Sequence, residues 1–136
     1  MNGDAEFIGD DCYRLTEAIN TQNGTVWYAE QLDLNDPFDF SFTMNFGTND
    51  SQGADGIVFV LQTVGTGAIG ESGGGIGFLG FNPSFGVEFD TWTNGDFGDL
   101  IADHIAMISN GDVNHNGLNA ITSPIQASGG SINIED

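Results

Sequence analysis

The residues best placed to do chemistry lie in Val87-Glu-Phe-Asp-Thr-Trp-Thr-Asn94 and the following Gly95-Asp-Phe-Gly-Asp-Leu-Ile-Ala-Asp-His104. In an extended chain Glu88 and Asp90 point to one side, and Val87 and Phe89 to the other. Two adjacent carboxylates repel each other unless a cation lies between them. Asn94 adds a neutral oxygen from the turn after the strand, Asp99 can fold back from the next loop, and His104 opens the following strand. A hard cation such as Ca2+ takes about six to eight oxygens, backbone carbonyls included. An imidazole beside carboxylates suits a transition ion instead. One cluster holding both donor types points to two neighbouring metals that share carboxylates. The competing reading is a solvated polar face, which the regular alternation with apolar residues disfavours. For His104 alone, a structural histidine is the alternative.

The elements that must position these groups are strands. Phe40, Phe42, Met44 and Phe46 occupy every second position, with Ser41, Thr43 and Asn45 between them, which predicts a strand with one buried face. Ile57 to Leu61 is an unbroken apolar run, as expected for a strand covered on both faces. Further strands are predicted at 12–16, 26–34, 85–92, 104–109 and 131–134. Turn dipeptides separate them: Asn23-Gly24, Asp36-Pro37, Asn94-Gly95, Asn110-Gly111 and Asn116-Gly117, with Gly73-Gly74-Gly75 inside a glycine-rich segment, 65–77, that reads as a long shaped loop. Many short strands without helical periodicity predict an all-β, antiparallel β-sandwich or jelly roll, forming a single domain over 1–136. A chain ending in a strand at 131–136 predicts a sandwich that lacks its C-terminal strands. Asp112-Val-Asn-His-Asn-Gly117 echoes the opening of an EF-hand loop, but position twelve is Ser123 and no helices flank it, so it reads as a turn. His115 has no partner legible from spacing.

Composition narrows the partners. Twenty acidic residues stand against a single arginine, Arg14, for a formal charge of −19. Such a field repels nucleic acid and anionic membrane surfaces and attracts cations. Most of the charge reads as an acidic coat that favours solubility. No apolar stretch is long enough to span a membrane, and the opening residues lack the basic and apolar regions of a signal peptide. Cys12 is the sole cysteine, which excludes an internal disulfide and predicts a small buried apolar residue.

The spacing of Glu88, Asp90, Trp92, Asn94, Asp99 and His104 resembles the metal loop of the legume-type (L-type) lectins, position for position. Gly53-Ala-Asp-Gly-Ile-Val-Phe-Val60 resembles that family's Ala-Asp-Gly strand start, and Gly75-Ile-Gly-Phe-Leu-Gly80 its second binding loop. The opening, 12–16 through 26–28 to Pro37-Phe38, is similar to bacterial members. The resemblance implies a concanavalin-like fold whose C-terminal strands and fourth binding loop lie outside these residues. It implies that Asp90 and Asp99 bridge both metals, that Asn94 and the Trp92 carbonyl complete a Ca2+ shell, and that Glu88 and His104 bind a transition metal, usually Mn2+. It further implies a cis Ala54–Asp55 peptide, sugar hydroxyls held by Asp55 and Asn94, a sugar-directed amide at Gly77, and an apolar ring face from Trp92. Asp103 reads as a loop carboxylate.

The function implied is a calcium-dependent, non-catalytic carbohydrate-binding module, extracellular or cell-surface, within a larger adhesin. Its partners are glycans or glycoconjugates, with self-association or a C-terminal segment completing the sandwich. The main rivals are a structural or self-assembling sandwich whose metal only rigidifies loops, and a jelly-roll glycoside hydrolase. Hydrolysis needs two carboxylates flanking the scissile bond. Glu88-Phe-Asp90 begins one such pattern, but Trp92 or Thr93 stands where the further acid belongs. For Asp55, Trp92 and the glycine-rich loop, the plain alternatives are a turn carboxylate, a core aromatic and a flexible connector.

Overall fold

The computed structural model describes residues 1–49, 52–127 and 134–135. It is all-β, with every strand pair antiparallel and no α-helix among the described residues. Two small ribbons open the chain. β1 (Asn2–Gly3) pairs with β4 (Gly24–Thr25), and β2 (Glu6–Gly9) with β3 (Cys12–Arg14). The main sheet runs in the order β5 (Gly56–Gln62), β6 (Ser84–Asp90), β7 (His104–Ser109) and β8 (Ile125–Gln126).

β6 is central, and its alternation decides the architecture. Gly86, Glu88 and Asp90 are buried while Phe85, Val87 and Phe89 are only half-buried. β7 follows the same rule, burying His104, Ala106 and Ile108. The compact core of Phe78, Phe81, Ile108 and Val113 is packed by Val58 and Val60 of β5 together with Trp27, Leu79 and Phe97. A side chain at Gly86 would meet Phe78 and Val58 at 3.0 Å, so glycine there lets the phenyl ring approach the sheet closely. The carboxylates of β6 therefore lie on the same face as the core, not opposite it. The sequence suggests the reverse because Val87 and Phe89 are the apolar partners in the alternation.

The other face is covered by aromatic rings. Phe42 stacks on Phe59 at 5.5 Å and Phe46 approaches Phe89 at 6.5 Å. Here the prediction for 40–46 is corrected: the segment is extended but joins no ladder among the described residues, and Phe38, Phe40 and Phe42 are exposed. Its rings leave an apolar groove lined by Phe38, Phe40, Phe42, Phe59, Val87 and Phe89. Because that cover is loose, Gly56–Gln62 is half-buried throughout rather than sealed on both faces. Residues 26–34 form no strand, the short β4 ending before them at Thr25, and of 131–134 only Ile134 lies within the described residues.

Cys12 is exposed, contrary to its expected burial. β3 belongs to a two-stranded ribbon and all three of its residues are exposed, and Arg14 from the same strand pairs with Glu6 and Glu17. The 65–77 segment is a shaped loop, as expected, closed by Gly70 N donating to Gly77 O at 3.0 Å and Glu71 N to Leu79 O at 3.0 Å.

Candidate functional site

Strand register brings the chemically active residues to one end of the sheet. Asp90 stands opposite Gly56 on one side and His104 on the other, while Glu88 is flanked by Val58 and Ala106. The turn after β6 is shaped by its own side chains. Asp90 Oδ1 accepts from Trp92 N at 2.7 Å, and Asp99 Oδ2 accepts from Asn94 N at 2.6 Å. A short 3-10 turn, Gly95–Phe97, carries the chain between them. Each aspartate thus anchors the loop through one oxygen and leaves the other to the site.

What surrounds those oxygens is an unpaired polar interior. Both carboxylate oxygens of Glu88, the Asn94 Oδ1 and the His104 Nε2 are buried without an aligned hydrogen bond. The side chains of Glu88 and His104 are 1% exposed and that of Asp99 is 2% exposed. His104 Nε2 lies 3.7 Å from Glu88 Oε1 and 3.9 Å from Asp99 Oδ1, while its Nδ1 faces the Ala102 carbonyl at 3.3 Å. Leaving buried polar atoms unmade costs about 1–3 kcal/mol each, and more for charged groups. Oxygens and nitrogens within 4.8 Å of one another, grouped as Asp90–Asp99–His104 and Glu88–His104–His115, are the donor sets that divalent cations satisfy. The residues present fit the metals that the sequence implies.

Electrostatics agree. Burial pushes the Asp90 carboxyl up to about 8; the Trp92 amide opposes this, and the negative charges of Asp99, Glu88 and Asp55 add to it. Burial likewise raises Asp55. A cation in the cluster would reverse both effects, because its charge favours the ionised form.

The residues expected to meet a carbohydrate are placed as follows. The Ala54–Asp55 peptide is cis, and the Asp55 carbonyl accepts from Thr91 N at 2.9 Å, which ties the start of β5 to the end of β6. Trp92 is 42% exposed and so is not a core aromatic. Gly77 differs from expectation: its N–H donates to Glu71 O at 2.8 Å, so the loop itself uses the amide expected to face a sugar. The glycine that approaches the site is Gly74, in the 3-10 turn Gly73–Gly75, where a side chain would meet the Asn94 amide at 3.0 Å. Asp103 is indeed a loop carboxylate, accepting from Ile134 N at 2.7 Å.

Sequence reasoning missed His115. Its Nε2 lies 2.8 Å from Glu88 Oε1 and 3.3 Å from Asp99 Oδ1, and its side chain is 2% exposed. Burial pulls its pKa down, but contact with Glu88 and the charges of Glu88, Asp99 and Asp90 outweigh that, so the net shift is upward. The only available signal was a histidine in a loop of Asx turns, and that does not reveal which strand the loop crosses.

A family model for the legume lectin beta-barrel domain matches residues 1–134. This chain belongs to the L-type lectin family. The family is one of non-catalytic carbohydrate-binding domains. Among curated proteins, the pesticidal crystal protein Cry22Aa of Bacillus thuringiensis is similar, 38% identical over 94 residues. That match covers 68% of this chain but 13% of the relative, so the aligned stretch is a small portion of that protein.

Proposed function

We propose that this L-type lectin domain is a calcium-dependent carbohydrate-binding module, displayed outside the cell or on its surface as one part of a larger adhesin. The observation that carries the reading is the buried, unpaired donor cluster at the end of β5, β6 and β7, directly behind Asp55 and Trp92. Asp90, Asp99, Asn94 and the Trp92 carbonyl would hold Ca2+, and Glu88 and His104, together with the shared Asp90 and Asp99, a transition ion. The ions supply positive charge that keeps these carboxylates ionised and the turn 91–99 closed.

Recognition itself falls to the chain. Asp55 accepts from sugar hydroxyls, Asn94 donates through its amide, and Trp92 offers an apolar ring face. Gly74 keeps the opposite loop close to Asn94 because it has no side chain to push that loop away. A shallow site of this kind gives weak single-site affinity, so useful binding comes from several copies displayed together. The small share of the Bacillus thuringiensis relative that aligns supports a module within a longer protein.

A glycan array tests this reading. Binding should be lost in EDTA, restored by Ca2+, and lost in Asp55→Ala. Glycan binding that is indifferent to both chelation and Asp55→Ala would refute it, and a folded, metal-binding chain that binds no glycan would favour the structural module instead.

A further inference from the structure

We propose that His115 is a direct ligand of the transition-metal site, which makes it a two-histidine, two-carboxylate centre that selects Zn2+ over Mn2+. The proposal rests on the reading of Glu88, Asp99 and His104 as metal-holding residues. It adds a fourth donor from an element outside the segment that supplies those three.

The loop that carries His115 is built to deliver it. After β7 the chain turns at Asn110-Gly111, both in the left-handed region at φ 56° and 63°. Val113 then buries itself in the core. Asp112 Oδ1 accepts from Asn114 N at 3.0 Å, Asn114 Oδ1 accepts from Asn116 N at 2.9 Å, and Asn119 Nδ2 donates to Asp112 Oδ2 at 3.0 Å. The oxygens of the EF-hand-like sequence thus hold the loop's own shape. His115 N donates to Phe97 O at 2.8 Å, which pins the loop to the turn between Asn94 and Asp99. The imidazole consequently enters between Glu88 and Asp99, across from His104.

Glu88, His104 and His115 bring donor atoms within 4.8 Å of one another, and Asp99 lies beside both imidazoles. His115 Nε2 is 2.8 and 3.3 Å from Glu88 Oε1 and Asp99 Oδ1, and His104 Nε2 is 3.7 and 3.9 Å from the same oxygens. The two rings are nearly perpendicular, at 78°, with centroids 5.3 Å apart. A tetrahedral Zn2+ with ligands at about 2.0–2.1 Å places its donors about 3.3 Å apart, and the imidazole–carboxylate separations of 2.8, 3.3, 3.7 and 3.9 Å bracket that value. Glu88 Oε2 and His104 Nε2 have no hydrogen-bond partner among the described residues, which leaves both open to an ion. Two imidazoles favour Zn2+, whereas Mn2+ suits carboxylate, carbonyl and water.

The test uses the metal-stripped 136-residue chain in saturating Ca2+, titrated with Zn2+ or Mn2+ against a chelating dye. We expect Zn2+ to bind at least tenfold more tightly than Mn2+. In His115→Ala and His115→Asn, Zn2+ affinity should fall by at least the roughly 10–100-fold that loss of an outer-shell partner costs, with Ca2+ affinity and the circular dichroism melt retained. Co2+ in the wild-type chain should give the intense visible absorption of four-coordinate sites, and this should fade in both variants. Unchanged Zn2+ affinity in folded variants, or a pale Co2+ spectrum in the wild type, would overturn the assignment to His115. If Glu88→Gln also leaves Zn2+ binding intact, the underlying metal reading fails with it.

Discussion

Asp90 concentrates the electrostatic problem that this site must solve. Without metal its carboxyl titrates at about 8, well above its ordinary value, because it is buried among like charges. For an acid raised in the fold, the stabilising contribution is complete below the ordinary carboxylate range and is lost as pH rises through about 8. The chelated chain should therefore lose thermal stability between about pH 4 and pH 8, and Ca2+ should restore most of it at the upper end, as melting curves with and without EDTA would show. Glu88→Gln makes the complementary point. It removes the buried carboxylate that lies 2.8 Å from His115 Nε2, so the chelated variant should melt below the chelated wild type, and the increment from added transition metal should disappear. Cys12, lying open on the β2–β3 ribbon, should react with a thiol reagent at once in native buffer; a buried thiol would react only on denaturation.

The elements were legible in the sequence to the extent that local patterning and long-range pairing coincide. β5, β6 and β7 form where the sequence places strands, and their register sets Asp90 between Gly56 and His104 because both neighbours pair along β6. The stretch at 40–46 has an equally clear alternation yet forms no ladder among the described residues, since periodicity fixes which side chains share a face but not whether a backbone lies alongside. The same limit explains the inverted face of β6. Alternation separated Glu88 from Phe89, but which face meets Phe78 and Ile108 depends on loops that arrive from 75–81 and 110–117. At this scale Ile108, fully buried between those loops, is the test: Ile108→Ala should cost about 2–5 kcal/mol in urea denaturation, and a much smaller loss would mean that the loops do not seal the core.

At the scale of the whole molecule, one end of the sheet gathers four buried carboxyl and imidazole groups around Asp90, while the single arginine of the chain is engaged with Glu6 and Glu17. The metal spacing from Glu88 to His104 was readable because its donors are local in sequence. His115 was not, because its position depends on a loop folding back across β7 and docking on Phe97. The central claim is that divalent cations, held by Asp90, Asn94, Asp99 and their neighbours, complete the site. Equilibrium dialysis of the metal-stripped chain against Ca2+ and a transition ion, read by elemental analysis, tests it most directly. The account predicts that one ion of each kind is retained by the wild type and that both are lost in Asp99→Ala; a wild-type chain that retains neither would contradict it.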